Sequence, residues 1–144
     1  MGKLTLRLTD VTRSGVYRAT RGDEIVDAAR GTRLDLAHVD LGGAQDKEAL
    51  LERLAVALAL PEWFGGNWDA LEDCLTDLSW RAGAGHVILF KDQGALAADD
   101  LGVLLEVLAA AAEHWAGRGL PFFAVFIDPG HVLALPELYR RRSA

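Results

Sequence analysis

Residues 60–78 read LPEWFGGNWDALEDCLTDL, and the way this stretch divides decides how the chain folds. Pro61 cannot continue a helix, and it pushes Leu60 away from helical angles. A helix arriving from the N-terminal side therefore stops here. Gly65 and Gly66 predict a tight turn. Asn67 follows as a good N-cap, because its side-chain oxygen can accept from a backbone N–H of the next turn. A second helix is expected from Asn67 to about Leu78. Leu71, Cys74, Leu75 and Leu78 fall on one side of it, and Asp69, Glu72, Asp73 and Asp77 on the other.

Upstream, Asp46 opens a helix whose Leu50, Leu51, Leu54 and Leu58 make one apolar stripe. Before it, residues 34–41 (LDLAHVDL) read as a strand ended by Gly42 and Gly43. Downstream, residues 86–90 (HVILF) form a short apolar run, as a strand buried on both faces requires. Asp99 and Asp100 begin a long helix carrying Leu101, Leu104, Leu105, Leu108 and Ala112, and Gly117 and Gly119 end it. Residues 121–127 (PFFAVFI) read as a last buried strand, and Asp128-Pro129-Gly130 as a turn. The order is strand, helix, helix, strand, helix, strand. Crossovers of this length imply parallel pairing. The expected fold is α/β, a small three-stranded parallel sheet packed with helices.

The flanks carry weaker signals. Leu4, Leu6 and Leu8 alternate with Thr5 and Arg7, which suggests a short strand, and residues 15–19 are a candidate for another. Asp23 is placed to cap a short helix through Arg30, with Gly31 as its stop. Residues 131–144 leave room for one helical turn, and Arg140, Arg141 and Arg142 read as solvated surface.

The chain has 144 residues, 51% hydrophobic and 25% charged, which fits one globular domain. No apolar run reaches the roughly 20 residues that span a bilayer. Residues 1–10 lack the apolar core of a signal peptide. A single cysteine excludes an internal disulfide, so a reducing cytoplasm is the expected location. The net charge of −6 argues against general binding to nucleic acid or an anionic membrane and is compatible with a basic partner.

The carboxylates of residues 69–77 have no Lys or Arg between Asn67 and Trp80 to offset them. Like charges at these spacings repel by roughly 0.2–0.5 kcal/mol per pair. Two readings fit: a solvated face on an acidic protein, or a binding face for a cationic surface, flanked by Trp63 and Trp68. Enzymatic readings fit less well. Acids on one helix face point the same way and cannot easily flank a glycoside. Asp69, Asp73 and Asp77 could hold Mg²⁺ only with converging oxygens and, usually, a phosphate substrate, and no phosphate loop is present. Cys74 falls on the apolar side, where free cysteines are commonly inert. His38, His86, His114 and His131 show no metal-ligand spacing. No catalytic residue, metal or cofactor is expected.

Residues 60–75, LPEWFGGNWDALEDCL, resemble the signature of the barstar family in their Leu-Pro-Glu, aromatic pair, Gly-x-Asn, Asp-Ala-Leu and Asp-Cys-Leu parts. The resemblance extends more weakly over residues 34–127. It implies an intracellular inhibitor that plugs a barnase-type ribonuclease with this helix and the loop before it, the carboxylates standing where RNA phosphates would. Carried over by position, the resemblance puts the partner contacts on Trp63, Asn67, Trp68, Asp69 and Asp73. Glu72 stands where the family has a tryptophan, and Asp77 and Leu78 where it has a glycine and a tryptophan. A second-site glutamate falls on His114, with Glu113 adjacent. Glu72, Asp77, Glu113 and His114 complete the expected binding surface. These departures leave open a related module with another toxin or partner protein as its target. The expected organisation is an extension over residues 1–33 packed on the domain, a barstar-like domain over 34–127 and a tail over 128–144.

Overall fold

The computed structural model describes residues 2–139. In chain order its helices and strands are α1 (Lys3–Leu8), β1 (Gly15–Ala19), α2 (Asp23–Ala29), β2 (Asp35–Asp40), α3 (Lys47–Ala57), α4 (Trp68–Leu75), β3 (His86–Lys91), α5 (Ala98–Gly117) and β4 (Phe122–Ile127). The Arg140–Arg142 run lies outside the described residues.

The sheet has four strands and not three, in the order β1-β4-β3-β2, all parallel. The reason lies in β4. Phe122, Ala124 and Phe126 enter one apolar core while Phe123 and Val125 enter another. A strand apolar on both faces belongs in the interior of a sheet, with neighbours on both edges. β3 supplies one neighbour, with Ile88 beside Ala124. β1 supplies the other, with Val16 beside Ala124. The outer edge of β1 is covered in turn: Arg18 N donates to Pro136 O at 2.9 Å and Leu138 N to Arg18 O at 2.9 Å. Residues 131–139 contain no helix and provide this cover, and the rest of the segment in which a helical turn is expected, residues 140–144, lies outside the described residues.

The helices divide between the faces. α3, α4 and α5 bury Leu50, Leu54, Leu71, Leu75, Leu104 and Leu108 against Val39, Phe90 and Phe126. α1 and α2 bury Leu8 and Ile25 against Val87, Leu89 and Val125 on the other side. Each fully buried Leu or Phe contributes about 1.5–3 kcal/mol of transfer free energy.

Three local expectations are corrected. Residues 3–8 are a helix and not a strand. Leu4 and Leu8, one turn apart, pack on the second core, while Leu6 is 55% exposed. A strand would have put all three on one face. Asp23 does not cap α2, whose N-cap is Gly22; the carboxylate pairs with Arg21 at 2.7 Å, one residue inside the first turn. α4 ends at Leu75 and not near Leu78, because Asp77 N and Leu78 N both turn back to Cys74 O and Leu78 adopts φ +48°. No helix among the described residues is long and apolar enough to cross a membrane.

Candidate functional site

α3 ends in a double closure. Leu60 N donates to Ala55 O at 2.9 Å and Ala59 N to Val56 O at 3.3 Å, with Ala59 at φ +52°. This is a Schellman stop, in which the left-handed residue is usually glycine. Pro61 follows, and Phe64 N returns to Pro61 O at 2.9 Å. Gly66 takes φ +71°, which a side chain would oppose, and leads into Asn67. The Asn67 side-chain oxygen accepts from Ala70 N at 2.7 Å, so α4 starts where a cap was expected.

α4 then divides as its spacing requires. Leu71, Cys74 and Leu75 are fully buried, and Asp69, Glu72 and Asp73 are exposed. Asp77 is exposed too, but in the turn beyond the helix. None of the four carboxylates joins a salt bridge among the described residues. Thr76 caps the C-terminal end with its hydroxyl, donating to Glu72 O at 2.9 Å. Burial, together with the charges of Asp73 and Asp77, pushes the Cys74 thiol up from its ordinary value. A thiol that stays protonated and enclosed is a poor nucleophile.

The aromatic residues differ from one another. Trp63 is 57% exposed and meets the Trp80 ring edge-on, at 6.4 Å and 87°. Trp68 is half-buried and packs against the core. Trp80 Nε1 donates to Leu58 O at 2.9 Å. Glu113 is exposed and His114 half-buried near the end of α5. Their neighbour Trp115 donates from Nε1 to Leu75 O at 2.8 Å, which fastens this end of α5 to the end of α4.

The nearest cation after the acidic stretch, Arg81, is committed elsewhere. Its Nε donates to Asp35 Oδ2 at 2.7 Å, its Nη2 to Asp35 Oδ1 at 3.0 Å and its Nη1 to Leu58 O at 3.4 Å. His86 Nδ1 lies 2.9 Å from Asp35 Oδ2, and the carboxylate can only accept. Burial pushes the Asp35 carboxyl up, but hydrogen bonds from Arg81 and His86 and the charge of Arg81 outweigh it and hold it below its ordinary value. Sequence spacing does not reveal this trio. It depends on the parallel register that sets Asp35 beside His86, the first residues of β2 and β3. With Arg81 bound to Asp35, no salt bridge among the described residues offsets the negative charge on the outer face of α4. No group of three or more His, Cys, Asp or Glu able to hold a metal occurs among the described residues.

Among solved structures, the chain is similar to the Aeropyrum pernix ORC2 protein in its ADPNP-ADP complexes, at 16% identity and a TM-score of 0.48. The match takes in 78% of this chain and 35% of that one, so it spans about a third of that protein's length. No curated protein matches the chain. The family model for barstar, the barnase inhibitor, matches residues 34–127, from the strand carrying Asp35 through the acidic helix to the end of β4. The chain belongs to the barstar family.

Proposed function

We propose that this protein inhibits a basic ribonuclease of the barnase type by seating α4 and the loop before it, residues 60–67, in the enzyme's active site. Supporting this most directly is the outer face of α4, where exposed Asp69, Glu72 and Asp73 join no ion pair among the described residues, with Trp63 exposed on the loop before the helix. In a free protein such a face is held at a cost, since Asp69 and Asp73 repel at one-turn spacing. A cationic cleft shaped for RNA phosphates would relieve that cost.

Asp73 and Asp69 would meet the enzyme's cations, and Asp77 and Glu72 would extend the field. Trp63 and Trp68 would supply apolar anchors. Asn67 would contribute its amide N–H groups, its oxygen being used by the cap. Glu113 and His114 would form a second, smaller contact. Residues 34–127 would be the binding unit, with residues 1–33 packed on it and residues 128–144 as a tail. The protein would act by occupancy in the cytoplasm, without catalysis, cofactor, nucleic acid or membrane. The test is titration of the chain into a barnase-type ribonuclease while RNA cleavage is followed. Loss of cleavage at one inhibitor per enzyme is expected. Full cleavage at excess inhibitor would overturn the reading.

One observation favours a different target within the same binding mode. Glu72 is an exposed anion where the family pattern has tryptophan. A partner with an additional cation opposite Glu72, whether another toxin or another enzyme, would fit that change.

A further inference from the structure

At the β1 edge of the sheet, a cleft of about 720 Å³ opens between α1, β1 and the segment that covers β1. Lys3 and Arg7, one helical turn apart, line it together with Arg18 of β1, and Leu135, Pro136 and Tyr139 form much of its apolar wall. Three cations gather here in a chain whose net charge is −6. The one carboxylate in the lining, Glu137, lies 3.4 Å from Arg18 Nη2 and 3.5 Å from His131 Nδ1. Lys3 and Arg7 form no salt bridge among the described residues. Arg18 Nε is buried and has no hydrogen-bond partner among the described residues.

The nearest acid on the connecting turn is used locally. Asp10 accepts from Thr12 Oγ1 at 2.6 Å and from Thr12 N at 3.0 Å. Like charges brought to one concavity repel, and a buried N–H without an acceptor is costly. Both costs are removed by an anion with several acceptor oxygens. Arginine forks suit phosphate because they donate in two parallel bonds, and lysine adds a point charge. We propose that this cleft binds a small phosphate-bearing molecule, its phosphate held by Lys3, Arg7 and Arg18 and its apolar body lying against Leu135 and Pro136. The site is built from residues outside the family match, at the β1 edge of the sheet, and it needs no partner protein to be filled.

The test is calorimetric titration of the full chain with phenyl phosphate, inorganic phosphate and phenol at matched ionic strength. One phenyl phosphate per chain is expected, with inorganic phosphate weaker and phenol silent. Arg7→Gln should weaken phenyl phosphate binding about tenfold, as loss of one charge-assisted contact does. Arg53→Gln, which alters a cation bonded to Asp40 O across the molecule, should change nothing. Arg18→Gln should abolish binding, and because it also breaks the contact with Glu137 its circular dichroism is compared with wild type. Arg7, on the short outer helix, decides the matter if Arg18→Gln unfolds. Absence of phenyl phosphate binding, or binding that Arg7→Gln leaves unchanged, would overturn the proposal. So would adsorption to phosphatidylcholine vesicles carrying phosphatidic acid without any response to phenyl phosphate, since that would assign the cations to a lipid surface.

Discussion

The Trp80 indole N–H donates to the Leu58 carbonyl across 22 residues of chain, and so closes a loop that contains the whole acidic helix. Leu58 ends α3, and Trp80 lies in the return from α4 to β3. Arg81 reaches the same carbonyl at 3.4 Å while holding Asp35. The loop before α4 and the chain after it are thus fastened at one point, and that point is joined to the base of the sheet. A surface prepared in this way loses less conformational freedom on binding.

Asp73→Ala should move folding and binding in opposite directions. The substitution removes repulsion with Asp69, one helical turn away, about 0.2–0.5 kcal/mol, and alanine is the better helix former. Denaturant midpoints should therefore rise slightly. Affinity for the ribonuclease should drop by about 3 kcal/mol, because a cation of the partner is left buried and unpaired. A lower midpoint with unchanged affinity would make Asp73 a structural residue.

Glu72→Trp should redirect specificity. It restores the residue type of the family pattern at an exposed position on the same face. Binding to a standard barnase-type enzyme should tighten, measured by competition between wild type and variant for a limiting amount of enzyme. Equal or weaker binding by the variant would remove Glu72 as the determinant of target choice.

Acid should weaken the fold through Asp35. Its carboxyl is held below the ordinary value in the folded state. Its contribution is therefore complete above the unfolded value of about 3.9 and is lost as pH falls through the lower, folded value. Asp35→Asn keeps the shape, removes the titration and leaves Arg81 without its carboxylate. Urea midpoints across pH 2–6, a range set by that unfolded value, should show the variant less stable by about 1–2 kcal/mol at the upper end. The gap should narrow toward the lower end. A gap independent of pH would show that the carboxylate acts through packing alone.

Ala59→Gly should stabilise the chain. Ala59 holds φ +52° at the stop of α3, a conformation costing a non-glycine residue about 1–2 kcal/mol. Part of the gain is offset by the greater freedom of glycine in the unfolded chain. A rise of about 0.5–1 kcal/mol in unfolding free energy is expected from the denaturant midpoint. A fall would mean that the Ala59 methyl contributes packing at the loop.

The central elements were legible because each carries a local reason visible along the chain. Asp46 and Asn67 cap their helices as their side chains predict, and the runs around Ile88 and Ala124 are apolar enough to require burial on both faces. β1 was harder to place because its residues are half-buried and mixed, and its pairing partner lies a hundred residues away. Leu4, Leu6 and Leu8 satisfy a strand's alternation, while only two of them find apolar neighbours; contact with α2 settles the question and is invisible to spacing. The acidic face was readable from composition and periodicity. The commitment of Arg81 to Asp35, which leaves that face without a salt bridge among the described residues, arises from sheet register and not from local sequence.

The segment that covers β1 has a topological consequence. Because Lys3 and Tyr139 line one cleft, the first and last described stretches of the chain meet at the β1 edge of the sheet. Neighbouring ends tolerate circular permutation and fusion. A chain permuted by joining residue 139 to residue 3 across this cleft could be opened at the exposed Gly94 turn without cutting the loop closed by Trp80 and Leu58.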